Sequence, residues 1–120
     1  MADSIMRERS KLLARKIVPF CRYLRENGVE YALVNQVLRS GTSVGANLHE
    51  AQYAQGTKDF ISKIEIALKE CNETEYWLEL IGDTTPEFQN ECLRLRKDCI
   101  ELRRMMVAAV TTLKKHELVF

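Results

Sequence analysis

Apolar residues recur along most of this chain at alternating spacings of four and three, which is the spacing of one face of an α-helix. The first such face consists of Met6, Ser10, Leu13, Ile17, Phe20 and Leu24. It predicts a helix over residues 4–26, which Asn27-Gly28 would end because these residue types tolerate a left-handed backbone. Pro19 is expected to kink this helix without ending it, since the apolar repeat continues beyond the proline.

Three further helices follow from the same pattern. Residues 29–54 form the second and residues 57–83 the third, with Thr57 as the expected N-cap of the third. The clearest break in the chain comes next, at Gly82 and the residues after it. There, Thr85-Pro86 fits the N-cap and first position of a fourth helix that runs to residue 115.

The length of the chain and its short connections define the expected architecture. A chain of 120 residues suffices for a single domain, residues 1–120, and is too short for two ordinary ones. Helices joined by short connections must be antiparallel neighbours. We therefore expect an all-α fold, an antiparallel up-down-up-down four-helix bundle.

The third and fourth helices carry more apolar surface than a single bundle needs to cover. A second apolar strip flanks the main one on the third helix, and Leu93, Ile100 and Val107 recur every seven residues on the fourth. Such a surplus is typical of helices that also pack against another chain. The residues expected to mediate self-assembly are Ile61, Leu68, Trp77, Ile100 and Val107.

The second half of the second helix combines glycines with a polar row on one helical face. The row consists of Ser40, Ser43, Asn47 and Glu50. Three interpretations fit it: a covered hydrogen-bond network to the third helix or to a neighbouring chain, a ligand site lined by Asn47 and Glu50, or a solvated face. The adjacent Gly41 and Gly45 favour the covered network. Glycine has a low helix propensity, and on an exposed face no close packing would offset that loss of stability.

Charge is nearly balanced overall but is segregated along the chain. The net charge of +1 is the sum of +4 from residues 1–27, −1 from residues 28–56, −6 from residues 57–91 and +4 from residues 92–120. This alternation suits helices or subunits that lie side by side, and it lacks the overall basic character of a dedicated nucleic-acid-binding protein. Binding of RNA or DNA is the alternative function. The residues that would carry it are Arg7, Lys11, Arg15, Arg22, Arg96, Arg103 and Arg104.

No arrangement of residues indicates catalysis, a cofactor or a metal site. The two histidines, His49 and His116, fall on different helices and form no Glu-x-x-His pair. His49 and Glu50 are the only enzymatic alternative, although adjacent residues point about 100° apart on a helix. The glycines of the second helix lack the lysine and spacing of a phosphate-binding loop. The cysteines fall at apolar helical positions, so we expect buried thiols.

The chain also lacks the sequence signals of a membrane or secreted protein. Its longest apolar run, Met105 to Val110, has six residues, against the roughly 18 that a membrane span needs. The N-terminal stretch has no apolar signal core. We expect a cytoplasmic protein that is not an enzyme, uses no cofactor and makes no membrane contact.

Two stretches within the second and third helices are similar to a known family. They read SGTSVGANLHEAQ and KDFISKIEIALKECNETEYWLEL, and they resemble the four-helix-bundle family of 23S rRNA-intervening sequence proteins, also called S23-type ribosomal proteins. The matching residues are Ser40, Ser43, Gly45, Asn47, Glu50, Lys58, Asp59, Phe60, Ile66, Ala67, Glu70, Glu75, Tyr76, Trp77 and Leu78.

This resemblance is specific over residues 39–80 and extends as a pattern over most of the chain. It implies an antiparallel four-helix bundle that is often a homopentamer, and a relationship to the pentameric nucleic-acid-binding bundles of diversity-generating retroelements. It does not imply catalysis, and the family name records the location of some of its genes within ribosomal RNA inserts. Members typically have a serine-containing segment before the Lys-Asp-Phe element, where this chain has Gly56-Thr57.

Overall fold

The computed structural model describes residues 2–119, with side chains from residue 4 to residue 116, and within these bounds it contains four α-helices. They are α1 (Ala2–Glu26), α2 (Tyr31–Ala51), α3 (Thr57–Thr84) and α4 (Gln89–Val119), with a 3-10 turn at Pro86–Phe88 before α4. The principal extents are 53 × 22 × 21 Å. The predicted all-α four-helix bundle is confirmed.

Each helix packs against two neighbours around one central core. The pairs in contact are α1 with α2, α2 with α3, α3 with α4, and α4 with α1. The apolar positions of the predicted helical faces fill the core, where Ile17, Val44, Ile64, Leu78 and Cys99 are fully buried. None of the helices, over the residues described, is long and apolar enough to cross a membrane.

The end of α1 follows the sequence prediction closely. Gly28 has a φ of 79°, which is the left-handed conformation that glycine adopts without strain. The Val29 N–H then donates to the Leu24 carbonyl at 3.0 Å, and the Gly28 N–H donates to the Arg25 carbonyl at 3.1 Å. These bonds satisfy carbonyls that the end of a helix leaves without a partner. α1 also continues through Pro19, as expected.

Several helix boundaries differ from the prediction. α4 begins at Gln89, after the 3-10 turn, and continues to Val119, four residues beyond the expected end at residue 115. α2 ends at Ala51, three residues before the expected end at residue 54. Thr57 is the first residue of α3 and not its N-cap, because Gly56 holds the cap position and provides no side-chain bond. The Asp59 carboxylate instead accepts a hydrogen bond from the Gln55 N–H at 3.1 Å. The acidic residue of the first turn therefore stabilises this end of the helix.

The two glycines of α2 allow it to approach α1 closely. A Cβ built on Gly41 would lie 3.1 Å from Cγ2 of Ile17 and 3.2 Å from its Cδ1 and Cγ1. At Gly45 the nearest atom would be Oγ of Ser10, at 3.4 Å. Both contacts put the small stretch of α2 against α1. The loss of helix propensity at these glycines is offset by this packing.

Surface ion pairs link α4 to both of its neighbours. On one side of α4, Arg9 of α1 pairs with Glu101 at 3.2 Å, and Lys16 pairs with Asp98 at 2.9 Å. On the other side, α3 carboxylates pair with arginines of α4. These pairs are Glu75–Arg103 at 2.8 Å and Glu79–Arg96 at 2.7 Å. Each exposed pair contributes at most about 1 kcal/mol, but the pairs show which residues of neighbouring helices lie at the same height.

Replacing Gly41 by alanine is expected to lower the free energy of unfolding by up to about 2 kcal/mol. Overpacking against a buried side chain such as Ile17 costs about 1–3 kcal/mol, and alanine recovers only about 1 kcal/mol through its better helix propensity. Denaturant unfolding followed by far-ultraviolet circular dichroism measures the difference.

Gly45→Ala is the matched control for that substitution. Its Cβ would meet Ser10 at an ordinary van der Waals distance of 3.4 Å, so the gain in helix propensity dominates. The expected change is a rise of up to about 1 kcal/mol in the free energy of unfolding. Equal changes at the two glycines would contradict the assignment of a tight contact to Gly41 alone.

Candidate functional surfaces

The polar row of α2 faces α3, and its first member is fully covered. Ser40 is 0% exposed, and its hydroxyl donates to the Gln36 carbonyl at 2.6 Å. Oγ1 of Thr74 on α3, also fully buried, lies 2.9 Å from Oγ of Ser40 and 2.8 Å from the Glu70 carbonyl. A direct side-chain hydrogen bond therefore joins α2 to α3 inside the core. The sequence pattern indicated Ser40 but not its partner Thr74.

The remaining members of the row do not extend this link. The Ser43 hydroxyl donates to the Arg39 carbonyl at 2.7 Å, and the Asn47 amide donates to the Ser43 carbonyl at 2.9 Å. Glu50 is largely exposed and pairs with Lys63 at 3.2 Å. Serine and asparagine inside a helix readily bond to their own backbone. The covered network is thus limited to Ser40, and the row becomes solvated towards Glu50.

Arg39 joins α2 to α3 beside the Ser40–Thr74 contact. Its guanidinium contacts the Glu70 carboxylate at 3.0 Å and the Glu73 carboxylate at 2.6 Å. The indole N–H of Trp77 also donates to Glu73 at 3.4 Å. The hydrogen bond from Arg39 lowers the pKa of Glu73 below its ordinary value, so this carboxylate stays ionised. Sequence analysis did not identify the cluster, because Arg39 is more than 30 residues from both glutamates in the sequence.

The five residues predicted to mediate self-assembly do not form one surface. Ile61 is only 6% exposed and belongs to the core of its own chain, so it leaves no surface for a second chain to cover. Trp77 lies on the α2 side of α3, since it bonds to Glu73. Leu68 and Ile100 are half-buried, and Val107 is 44% exposed. Leu68, Ile100 and Val107 lie along the contact between α3 and α4.

An apolar concavity lies between α1, α3 and α4 near the start of α1. Its volume is about 670 Å³. The residues that line it are Ile5, Met6, Phe60, Met105, Ala108, Ala109, Thr112 and Leu113. Only one of them, Thr112, has a polar side chain, so the concavity suits an apolar side chain better than a polar ligand. The sequence pattern did not single out this surface.

The basic residues proposed for nucleic-acid binding fall into two groups. Arg96 and Arg103 are engaged by carboxylates of α3 and so are largely neutralised. Lys11, Arg15, Arg22 and Arg104 are exposed. Arg7 and Lys11 line a polar groove of about 490 Å³ between α1 and α2, together with Thr42, His49 and Gln52. The predicted basic residues therefore remain exposed at Lys11, Arg15, Arg22 and Arg104, but not at Arg96 and Arg103.

The thiols and histidine offer no reactive arrangement. All four cysteines are buried and unpaired, and burial raises the pKa of the Cys21 and Cys92 thiols to about 11. Such thiols are poor nucleophiles and metal ligands at neutral pH. His49 contacts Gln52 at 3.1 Å and the ring of Tyr53, whereas Glu50 pairs with Lys63. No group of three or more potential ligands among the described side chains is placed to hold a metal ion.

Removing either hydroxyl of the buried pair is expected to destabilise the bundle. Thr74→Val and Ser40→Ala should each lower the free energy of unfolding by about 1 kcal/mol. The double variant should lose less than the sum of the two, with a coupling of about 0.5 kcal/mol or more, because both substitutions remove the same bond. Ser43→Ala is the control and should change stability by less than about 0.5 kcal/mol. Additive losses would show that the two hydroxyls do not interact.

Comparison with known proteins identifies the group to which this bundle belongs. Residues 2–108 match the family model of the 23S rRNA-intervening sequence protein. A crystal structure of a protein of unknown function, from the S23 ribosomal protein family of Bacteroides thetaiotaomicron, superposes with a TM-score of 0.87. The two chains are 39% identical, over 92% of this chain and 99% of the other. No curated protein is similar enough to count as a match. The chain thus belongs to the 23S rRNA-intervening sequence protein family.

Proposed function

We propose that this protein is a cytoplasmic, non-enzymatic binding or scaffolding module that assembles with copies of itself, as a homopentamer. The observation that supports this proposal is apolar surface left exposed on a chain whose core is already filled. Ile5 and Leu12 are each 48% exposed, and Val107 is 44% exposed. Apolar side chains that cluster on the surface of a small protein are typical of interaction sites.

The state of the reactive groups supports a role without catalysis. The thiols are buried with raised pKa values at Cys21 and Cys92, and His49 and Glu50 contact different partners. A general base and its partner need to lie within hydrogen-bond reach. The exposed apolar surface described above suits contact with another protein chain better than it suits catalysis.

The oligomeric state tests this proposal directly. Size-exclusion chromatography with light scattering, at micromolar protein concentration, should give about five times the 13.9 kDa mass of the chain. The mass should persist in high salt, because apolar burial is not screened by ions. A single species with the mass of one chain would contradict self-assembly, and another multiple of that mass would correct the number of subunits.

Binding of RNA or DNA is the second candidate, and one feature of α1 favours it. Lys11, Arg15 and Arg22 are separated by four and seven residues, so they share one side of the helix. All three are exposed and form no ion pair with the side chains described. Repetition of this stripe in an oligomer would give several contacts to phosphates at once.

A salt titration of binding to structured RNA tests the second candidate. The logarithm of the affinity should fall linearly with the logarithm of salt concentration. Replacing Lys11, Arg15 and Arg22 by glutamine should weaken binding and reduce that slope by about 0.7–0.9 for each phosphate that is no longer neutralised. The control is Arg9→Gln with Lys16→Gln, since these side chains already pair with α4. Absence of binding at about 50 mM salt would reject this candidate.

A further inference from the structure

Two apolar surfaces lie on different sides of the bundle, and both include α4. Face one is the surface between α1 and α4 formed by Ile5, Leu12, Met105 and Ala108. Ile5 precedes Arg9 by four residues and Leu12 precedes Lys16 by four. Because Arg9 and Lys16 pair with α4, both apolar residues lie on the α4 side of α1.

Face two is the surface between α3 and α4 formed by Leu68, Tyr76, Ile100 and Val107. Ile100 and Val107 each follow, by four residues, an arginine that pairs with α3, so both lie on the α3 side of α4. Leu68 is three residues from Glu65, which pairs with α4. Tyr76 is three residues from both Glu79, which pairs with α4, and Glu73, which pairs with α2, so it lies at the outer edge of face two. Tyr76 is 57% exposed. Face two therefore follows the α3–α4 contact.

The two faces lie at matching heights along the bundle. The Arg9–Glu101 and Lys16–Asp98 pairs place Ile5 at the height of Val107 and Leu12 at the height of Ile100. The Glu75–Arg103 and Glu65–Lys114 pairs place Leu68 at the height of Val110, about one helical turn beyond Val107. By the same comparison, Tyr76 lies at the height of Ile100. Ile5 and Leu12 on face one, and Val107 and Ile100 on face two, thus form two matching apolar levels separated by seven residues.

We propose that face one of each copy packs against face two of the next copy, with all copies pointing the same way. This inference rests on the self-assembly proposed above and names the surfaces that carry it. Because the levels match, a rotation about an axis parallel to the bundle, without any shift along it, brings the faces together. A contact between two different faces without a shift closes into a ring, whereas a shift would produce a filament.

The shapes of the two faces fit this pairing. The 670 Å³ concavity lies beside Ile5 at one end of face one, where Phe60 of α3 also lines it. In the proposed contact, Val107 of the neighbouring copy lies at the height of Ile5. Leu68 of that copy lies about one turn further along, level with Ala109 and Thr112 of the concavity. Apolar side chains that enter a hole between two helices are the basis of helix packing between chains. Face one supplies the hole and face two supplies the side chains that fill it.

Charge also favours a second copy as the occupant. In the proposed ring α1 of one copy lies beside α3 of its neighbour, and the sequence segments that contain them carry +4 and −6. By the heights given above, Arg15 of one copy would lie near Glu79 and Asp83 of the next. Asp83 is exposed and forms no ion pair among the described side chains. Such complementarity orients the partner and disfavours contact between identical faces.

The angle between the faces limits the size of the ring. The outward directions of two adjacent sides of a four-helix bundle differ by about 90°. A closed ring needs about 60° between the two contact faces for three copies, about 90° for four and about 108° for five. The geometry therefore suits four or five copies and not two or three. It also places α4 nearest the ring axis, with Lys97 and Arg104 on its inner side.

Two variants, each with one face disrupted, test this arrangement. The face-one variant carries Ile5→Asp and Leu12→Asp, and the face-two variant carries Ile100→Asp and Val107→Asp. Each variant alone should sediment as a single chain at concentrations where the unmodified protein is fully assembled, a loss of affinity of at least 100-fold. An equimolar mixture at about 100 μM should contain a two-chain complex and nothing larger, because one intact face of each kind remains.

Ile66→Asp is the matched control, since Ile66 is 40% exposed but lies four residues from Glu70, on the α2 side of α3. It should leave the assembled mass unchanged, and circular dichroism should show the same helix content for all variants. If the unmodified protein assembles but either face variant keeps its full mass, the proposed faces are wrong while self-assembly stands. A mixture that remains monomeric also overturns the pairing. A monomeric unmodified protein overturns self-assembly itself.

Discussion

The close approach of α2 to α1 is the constraint on which the rest of the bundle depends. Gly41 lies so near Ile17 that even a methyl group would be crowded. The small residues of α2 make this possible, because they let the helix backbone come within contact distance of a buried isoleucine. With α2 held on one side by this contact, its opposite side must meet α3 in a fixed orientation. The Ser40–Thr74 bond and the Arg39 cluster then form between the two helices.

The sequence alone predicted the fold well because periodicity is a local signal. The four-three spacing marked each helix, and Gly28 marked the end of α1 through its left-handed backbone. Capping was harder to predict, since Thr57 and Asp59 are both suitable residues and the geometry of the preceding turn decided between them. The polar row was recognised as one face. Its division into a covered Ser40 and a solvated Glu50 depended on which part of α3 lies opposite.

Contacts between helices could not be predicted in the same way. The pairs of Arg39 with Glu70 and Glu73, and of Arg103 with Glu75, depend on the relative height of helices that are far apart in sequence. Apolar spacing places a residue on a face but does not say which neighbour covers it. Ile61 shows this limit clearly: its position suggested spare surface, and the structure places it in the core.

The segregation of charge along the chain leaves exposed cations on α1 that the carboxylates of the same bundle do not neutralise. The segments that contain α1 and α3 carry net charges of +4 and −6, yet the two helices lie diagonally across the described bundle and are not neighbours. α4 takes part in ion pairs with both, through its acids towards α1 and its arginines towards α3. Because α4 itself lies in a basic segment, it neutralises more of the carboxylates of α3 than of the basic side chains of α1. Exposed cations therefore remain on α1. A neighbouring copy would bring the acidic side of α3 next to those cations, so the charge pattern and the apolar faces favour the same arrangement.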